Sequence, residues 1–204
     1  LNYHVIGVKK DKNGELVYDK KSFIRNTKNF GLPQNRPRVY IVAFSREYYG
    51  KHLEMLPKET PTEGRKEIFH SVLDILQPKV SEKYFLSSGL LKTLENHKTR
   101  QKNNGNGFGY RIVNDTTADR PLAHTILPTG GSGKERNLIY DPVNGKSIIG
   151  KDVPPKKTPI NDKCIRTMTP EEWGRLQGFI GYAFLDENGT ERFSFPEKMS
   201  DQQM

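Results

Sequence analysis

The sequence predicts an α+β chain, with the edge of an α/β sheet followed by an irregular β-rich lobe. Three observations carry that class. Val39 to Phe44 is an unbroken apolar run between polar residues, the pattern of a strand buried on both faces. From Asn103 to Ile149 short strand candidates alternate with glycine-rich turns, which favours many small strands over a few long ones. Thr169-Pro170-Glu171-Glu172 then opens one well-signalled helix.

The elements follow in order. Val5–Val8 and Glu15–Tyr18 are β-prone runs around an Asn13-Gly14 turn, so a hairpin is expected. After Gly31-Leu32-Pro33 comes the apolar strand. Arg65 to Leu76 spaces Ile68, Val72, Leu73, Ile75 and Leu76 at near-helical intervals and stops at Pro78, which predicts a helix. A second helix is predicted over Ser88–Arg100, with Leu90, Leu91 and Leu94 on one side. Strands are predicted at 110–113, 123–127, 137–140 and 147–149, and Lys151–Pro159 reads as an extended connector. In the last helix Thr169 is the N-cap, Pro170 the first helical residue, Glu172 the partner in a capping box, and Gly178 the stop.

Composition narrows the function. The 204 residues allow one generous domain or two small lobes, and 33 Lys and Arg against 24 acids give a net charge of +9. Such a balance favours a polyanionic partner, most simply nucleic acid. One cysteine, Cys164, excludes a disulfide framework and a Cys-based zinc site, and fits a reducing, cytoplasmic setting. The five histidines show no metal spacing, so no metal is expected. No apolar run approaches the roughly 18 residues of a membrane span, so no membrane partner is expected either. The first residues, Leu1-Asn2-Tyr3-His4, lack a Met and a secretion signal, and the last are Ser200-Asp201-Gln202-Gln203-Met204. Both ends read as cut, which predicts a piece of a longer protein.

Two groups of residues could carry chemistry. Gln34, Arg36 and Arg38, at a spacing of two on an extended segment, project to one face. A row of one amide and two guanidiniums suits phosphate oxygens and a base-edge carbonyl. A pattern this short also arises by chance, with its arginines paired to local acids. The second group is Gly105-Asn106-Gly107-Phe108-Gly109-Tyr110-Arg111 and Gly130-Gly131-Ser132-Gly133-Lys134-Glu135-Arg136, where glycines stand beside cations. Glycine lets backbone N–H groups approach phosphates, while Arg and Ser read base edges. Arg111, Ser132, Lys134 and Arg136 are therefore candidate DNA contacts, with an ordinary loop as the alternative. The second run is not a nucleotide-binding loop: its count is wrong and no Ser or Thr follows Lys134.

Asn29-Phe30-Gly31-Leu32-Pro33-Gln34-Asn35-Arg36-Pro37-Arg38 and the string from Arg166 to Phe179 resemble the eighth and ninth motifs of the DNA (cytosine-5) methyltransferases. Between them, Thr125-Ile126 matches the family's Thr-aliphatic pair, and Gly105–Tyr110 resembles the Dcm-type recognition regions. The resemblance covers about 23–48, 103–141 and 164–204; residues 49–102 match only in spacing and character. It implies that residues 1–48 are the C-terminal remnant of a Rossmann-like catalytic domain. Residues 49–163 would be the target recognition domain, and 164–204 a hinge helix returning to the catalytic domain. Arg38 would reach the carbonyl of a flipped cytosine and Arg36 would support that pocket. Gln34, Arg111, Thr125, Ile126, Ser132, Lys134 and Arg136 would contact DNA. The implied partners are double-stranded DNA and a missing N-terminal catalytic portion. The implied cofactor is S-adenosylmethionine, used by the intact enzyme in a restriction–modification setting and not bound by this chain alone.

The departures bear on activity. The family's Pro-Cys nucleophile, its Glu-Asn-Val acid and its Phe-x-Gly-x-Gly cofactor loop are absent from the sequence. Glu95-Asn96 and Glu187-Asn188 fall at the wrong places, and Ile180 stands where the family often has Pro. Cys164 reads as a packed thiol. The isolated chain is therefore expected not to catalyse. The alternatives are a stand-alone DNA-binding module, a non-catalytic subunit of a split methyltransferase, or an RNA-binding basic protein, the last on charge alone.

Overall fold

The computed structural model describes residues 2–64, 66–107, 109–126 and 137–200. Its elements in chain order are β1 (Tyr3–Val5), β2 (Val8–Lys10), β3 (Leu16–Tyr18), β4 (Ile24–Asn26), β5 (Gln34–Asn35), β6 (Pro37–Val39), β7 (Ala43–Ser45) and α1 (Arg46–Tyr49). There follow α2 (Ser88–Asn103), β8 (Arg111–Ile112), β9 (Ala123–His124), β10 (Asn137–Tyr140), α3 (Pro142–Gly145), β11 (Ile165–Thr167) and α4 (Pro170–Leu176), with short 3-10 turns between them. They form two compact units: Leu1–Gly31 with Arg36–Glu67, and Leu32–Asn35 with Ile68–Met204.

The first unit is built from two-stranded ribbons, β1 with β7, β2 with β3 and β4 with β6. The expected hairpin is present as β2–β3, with Val8 opposite Tyr18. Its turn is held by the Asp11 carboxylate, which accepts from the N–H groups of Asn13 and Glu15, both at 2.8 Å. The first strand begins later than expected because Gly7 takes a φ of 85° and turns the chain, sending Tyr3–Val5 to β7 instead.

Val39–Phe44 departs from its expectation. It is broken into β6 and β7, and Val39 is 65% exposed and Ile41 70%. A two-stranded ribbon cannot bury both faces of a strand, so most of this run stays exposed while Phe44 is half-buried against Tyr49. The both-face burial belongs to β10 in the second unit. That strand lies between β11 and β8, antiparallel to the first and parallel to the second. Leu138 and Ile139 are both fully buried and point into different clusters, Leu138 with Leu86, Leu91 and Leu94, Ile139 with Val72, Ile75 and Leu176. Period-two alternation thus fills a core on each side of one strand, each such side chain contributing about 1.5–3 kcal/mol.

Three further expectations are corrected. The described residues 66–76 form no long helix: within them Val72–Ile75 make a 3-10 turn, started by a Ser71/Asp74 capping box. Its three-residue period buries Val72 and Ile75 while Leu73 stays exposed, which mimics helical spacing in the sequence. Residues 147–149 are not a strand, because Asp141 caps α3 and the chain winds on through a turn at Lys146–Ile148. In α2, whose start is capped by Ser87, Leu91 and Leu94 face the core but Leu90 does not.

The α4 start matches the sequence signals. Thr169 Oγ1 accepts from the Glu172 N–H at 3.2 Å, and Glu172 returns a carboxylate to the Thr169 N–H at 2.9 Å. Gly178 ends the turn with a φ of 77°. Thr169 Oγ1 also donates to Gln77 at 2.6 Å. Replacing Thr169 by Ala is expected to cost about 1–2 kcal/mol, read as a lower urea midpoint at unchanged slope.

Candidate nucleic-acid interface

In the first unit, β6 carries Arg38 and follows directly on Arg36. Asn26 Oδ1 accepts from the Arg36 N–H at 3.0 Å, and the Arg36 carbonyl accepts from Thr27 Oγ1 at 3.2 Å, so the backbone there is pinned. The Arg36 side chain is half-buried and Arg38 is exposed. Arg38 donates only to the Pro37 carbonyl, at 2.8 Å, and neither guanidinium has an acidic partner among the described residues. Across the ribbon Arg38 faces Arg25. Arg25 is held by carbonyls, among them Ser22 at 2.9 Å and Thr60 at 2.7 Å. Like charges directly opposite each other are destabilising, so this ribbon maintains a positive edge that an anion would relieve.

Gln34 does not continue that row. It lies in the second unit, is 1% exposed, and donates its amide to the His124 carbonyl at 3.4 Å. The strand is interrupted at Arg36, where pairing passes from β9 to β4, and the period-two projection stops with it. Gln34 is a buried bracing residue, and its amide is not presented to a solvent-borne ligand.

The second unit brings other candidates together. β5 and β9 pair in parallel, with Asn35 opposite His124, and Thr125 Oγ1 donates to the Asn35 carbonyl at 3.1 Å. Ile126 is half-buried and packs on the cluster that holds Val72 and Leu176, so its side chain is a packing contact here. Arg111 is exposed on β8, in register with Asn137. Asn137 in turn binds both backbone groups of His124, accepting its N–H at 2.7 Å and donating to its carbonyl at 3.0 Å. Ser132, Lys134 and Arg136 lie outside the described residues. The first glycine run is not an open phosphate cradle: the N–H groups of Gly105 and Asn106 bond the carbonyls of Lys102 and Gln101 at the end of α2.

The residues that anchor this region were invisible as a group in the sequence. Arg166, 1% exposed, donates to Asp141 at 2.8 Å and to both oxygens of Glu172 at 2.8 and 2.9 Å. Glu172 also accepts from the Gln77 N–H at 2.8 Å. Burial opposes the charged form of Asp141, but the Asn144 N–H and the Arg166 guanidinium outweigh it and hold the carboxyl below its usual range. Cys164 is buried and burial pushes its thiol up, away from the thiolate a nucleophile needs.

The family model for C-5 cytosine-specific DNA methylases matches residues 2–195. The chain belongs to that family. Among curated relatives it is 40% identical to the type II methyltransferase M.HpaII of Haemophilus parainfluenzae over 157 residues, 76% of this chain and 40% of that protein. It is 32% identical to M.SsoII of Shigella sonnei and 30% to M1.ScrFI of Lactococcus lactis subsp. cremoris, each across 88% of this chain and 40% and 39% of the relative. The chain thus spans about 40% of the length of these relatives. The solved methyltransferase EhMeth of Entamoeba histolytica shares its fold, with a TM-score of 0.52 at 19% identity over 99% of this chain and 47% of that one. Among the described residues no helix is long and apolar enough to cross a membrane.

Proposed function

We propose that this chain is the DNA-recognition part of a DNA (cytosine-5) methyltransferase acting in the cytoplasm on double-stranded DNA. The intact enzyme transfers methyl to carbon 5 of a cytosine flipped out of a specific duplex sequence. S-adenosylmethionine supplies that methyl group when bound. The observation that carries the reading is Arg38, exposed on a positive ribbon edge with no acid among the described residues to neutralise it, within the residues that the methylase family model matches. Arg38 donates to the carbonyl of the extruded base and Arg36 supports the neighbouring backbone. Extrusion costs a few kcal/mol, which such contacts must offset.

Residues 1–48 then belong with the catalytic domain, as the edge of its Rossmann-like sheet. Residues 49–163 form the recognition domain, and 164–204 lead back through α4. The exposed Val39–Val42 run is consistent with a strand that other parts of the enzyme cover. The chain's own residues do not fit the cofactor. There is no Phe-x-Gly-x-Gly loop, and in the shallow pocket at 185–192 Asp186 is taken by the N–H groups of Asn188 and Thr190 at 2.9 and 2.8 Å. The catalytic cysteine, the acid and the cofactor site reside in a portion with the Pro-Cys and Glu-Asn-Val motifs.

Methyl incorporation into duplex DNA tests the reading. The chain alone is expected to give none, and addition of a chain carrying those two motifs to give activity. DNA binding that no such partner converts into activity points instead to a stand-alone module, and preference for structured RNA to an RNA-binding protein. Lys134→Ala and Arg136→Ala are each expected to flatten the dependence of log affinity on log salt by roughly 0.9 for every phosphate the side chain neutralises. Fluorescence anisotropy across a salt series reads that slope; an unchanged slope removes Lys134 and Arg136 from the interface.

A further inference from the structure

We infer that Asn137 is a positioning residue for sequence discrimination, its buried carboxamide fixing the His124 backbone and so the place of Thr125-Ile126. The inference deepens the recognition reading above and rests on it. β9 is two residues long and, among the described residues, has one strand neighbour, β5. Toward β5 it offers the Ala123 N–H, which donates to the Pro33 carbonyl at 2.9 Å. The N–H and carbonyl of His124, by the alternation of a strand, turn the other way and meet Asn137.

A carboxamide presents a donor and an acceptor side by side, as the edge of a peptide does. Asn137 uses both on one residue, at 2.7 and 3.0 Å, and so stands where a third strand would. It is 3% exposed, so water does not compete for these bonds. The Gln34 amide reinforces the same carbonyl at 3.4 Å. Asn137 begins β10 and is followed by the fully buried Leu138 and Ile139. Opposite it in the β8–β10 register stands Arg111. Asn137 therefore ties the Thr125 segment, through its side chain, and the exposed Arg111, through its backbone register, to the buried centre of the unit. Base discrimination depends on such placement, whereas non-specific attraction to phosphates does not.

Selection of the 204-residue chain against a randomised duplex library, then affinities for the enriched and a scrambled duplex at one salt concentration, tests this. Asn137→Asp is nearly isosteric and keeps the acceptor for the His124 N–H, but sets a second acceptor against its carbonyl. Asn137→Ala removes both bonds. Both variants are expected to lower the enriched-to-scrambled ratio about tenfold while affinity for the scrambled duplex stays within about twofold. Hydrogen exchange at the His124 amide is expected to quicken in Asn137→Ala and to stay slow in Asn137→Asp. Should Asn137→Ala fail to fold, Asn137→Asp carries the test. An unchanged ratio in the folded variants, or equal loss on both duplexes, overturns the inference while leaving the recognition reading standing. If the unmodified chain enriches no sequence, that reading fails and the inference falls with it.

Discussion

Arg166→Met lowers the stability of the second unit by about 3–5 kcal/mol, the cost of leaving buried carboxylates without their cation. Arg166 is 1% exposed and Glu172 fully buried, and three charge-assisted bonds of 2.8–2.9 Å join Arg166 to Asp141 and Glu172. Trp173, the single tryptophan, lies in α4 beside Glu172, so its fluorescence in a urea titration reports on this region. Arg166→Lys keeps the charge but loses the fork that serves two carboxylates at once, and is expected to recover only part of the loss. The pH dependence has a defined sign. Asp141 titrates lower in the folded chain than in the unfolded one, so its stabilisation is complete above the usual carboxylate range and fades as pH falls through the folded value. Without Arg166, protonation of Asp141 removes an uncompensated charge, so the gap between variant and parent narrows in acid. A midpoint change equivalent to less than about 1 kcal/mol would put the network among weak surface pairs.

Arg38→Ala in the full-length enzyme slows methyl transfer by about 100-fold or more, the scale for loss of one donor aimed at a reacting group's oxygen. Duplex affinity is expected to fall far less, because Arg38 meets the base carbonyl only after extrusion and phosphate contacts elsewhere hold the duplex. Arg38→Lys restores the charge without the planar fork and is expected to recover binding more fully than rate. Single-turnover methylation beside equilibrium binding separates the two effects. Equal losses in both would make Arg38 a phosphate contact only.

How far the sequence disclosed this molecule depends on how local the determinants are. The α4 start was legible because a capping box is written within four residues, Thr169 to Glu172, and the structure forms both of its bonds. The β2–β3 turn was legible for the same reason. The burial of Val39–Phe44 was not, because an apolar run states what a strand could bury and not which strands lie beside it. The turn at Val72–Ile75 passed for a helix since periods of three and 3.6 coincide over one turn. In the candidate interface, Arg36 and Arg38 stood out through the motif resemblance, because a pattern so short also arises by chance. Gln34 looked equivalent to them, yet its neighbour across 90 residues, His124, turned it inward. Asp141, Arg166 and Glu172 are scattered in sequence, as are Asn137 and His124, and no local pattern marks either group. Contacts of that kind belong to the fold rather than to any stretch of chain.

The most direct test of a recognition role is transplantation. The chain would replace the matching region in two type II relatives, those of Haemophilus parainfluenzae and Lactococcus lactis, once the native methylation pattern of each has been mapped and found to differ. Cytosine methylation in each host would then be mapped base by base. One shared pattern, the same from both recipients, is the result expected if these residues choose the target. Patterns that stay with each recipient's own catalytic half would contradict it.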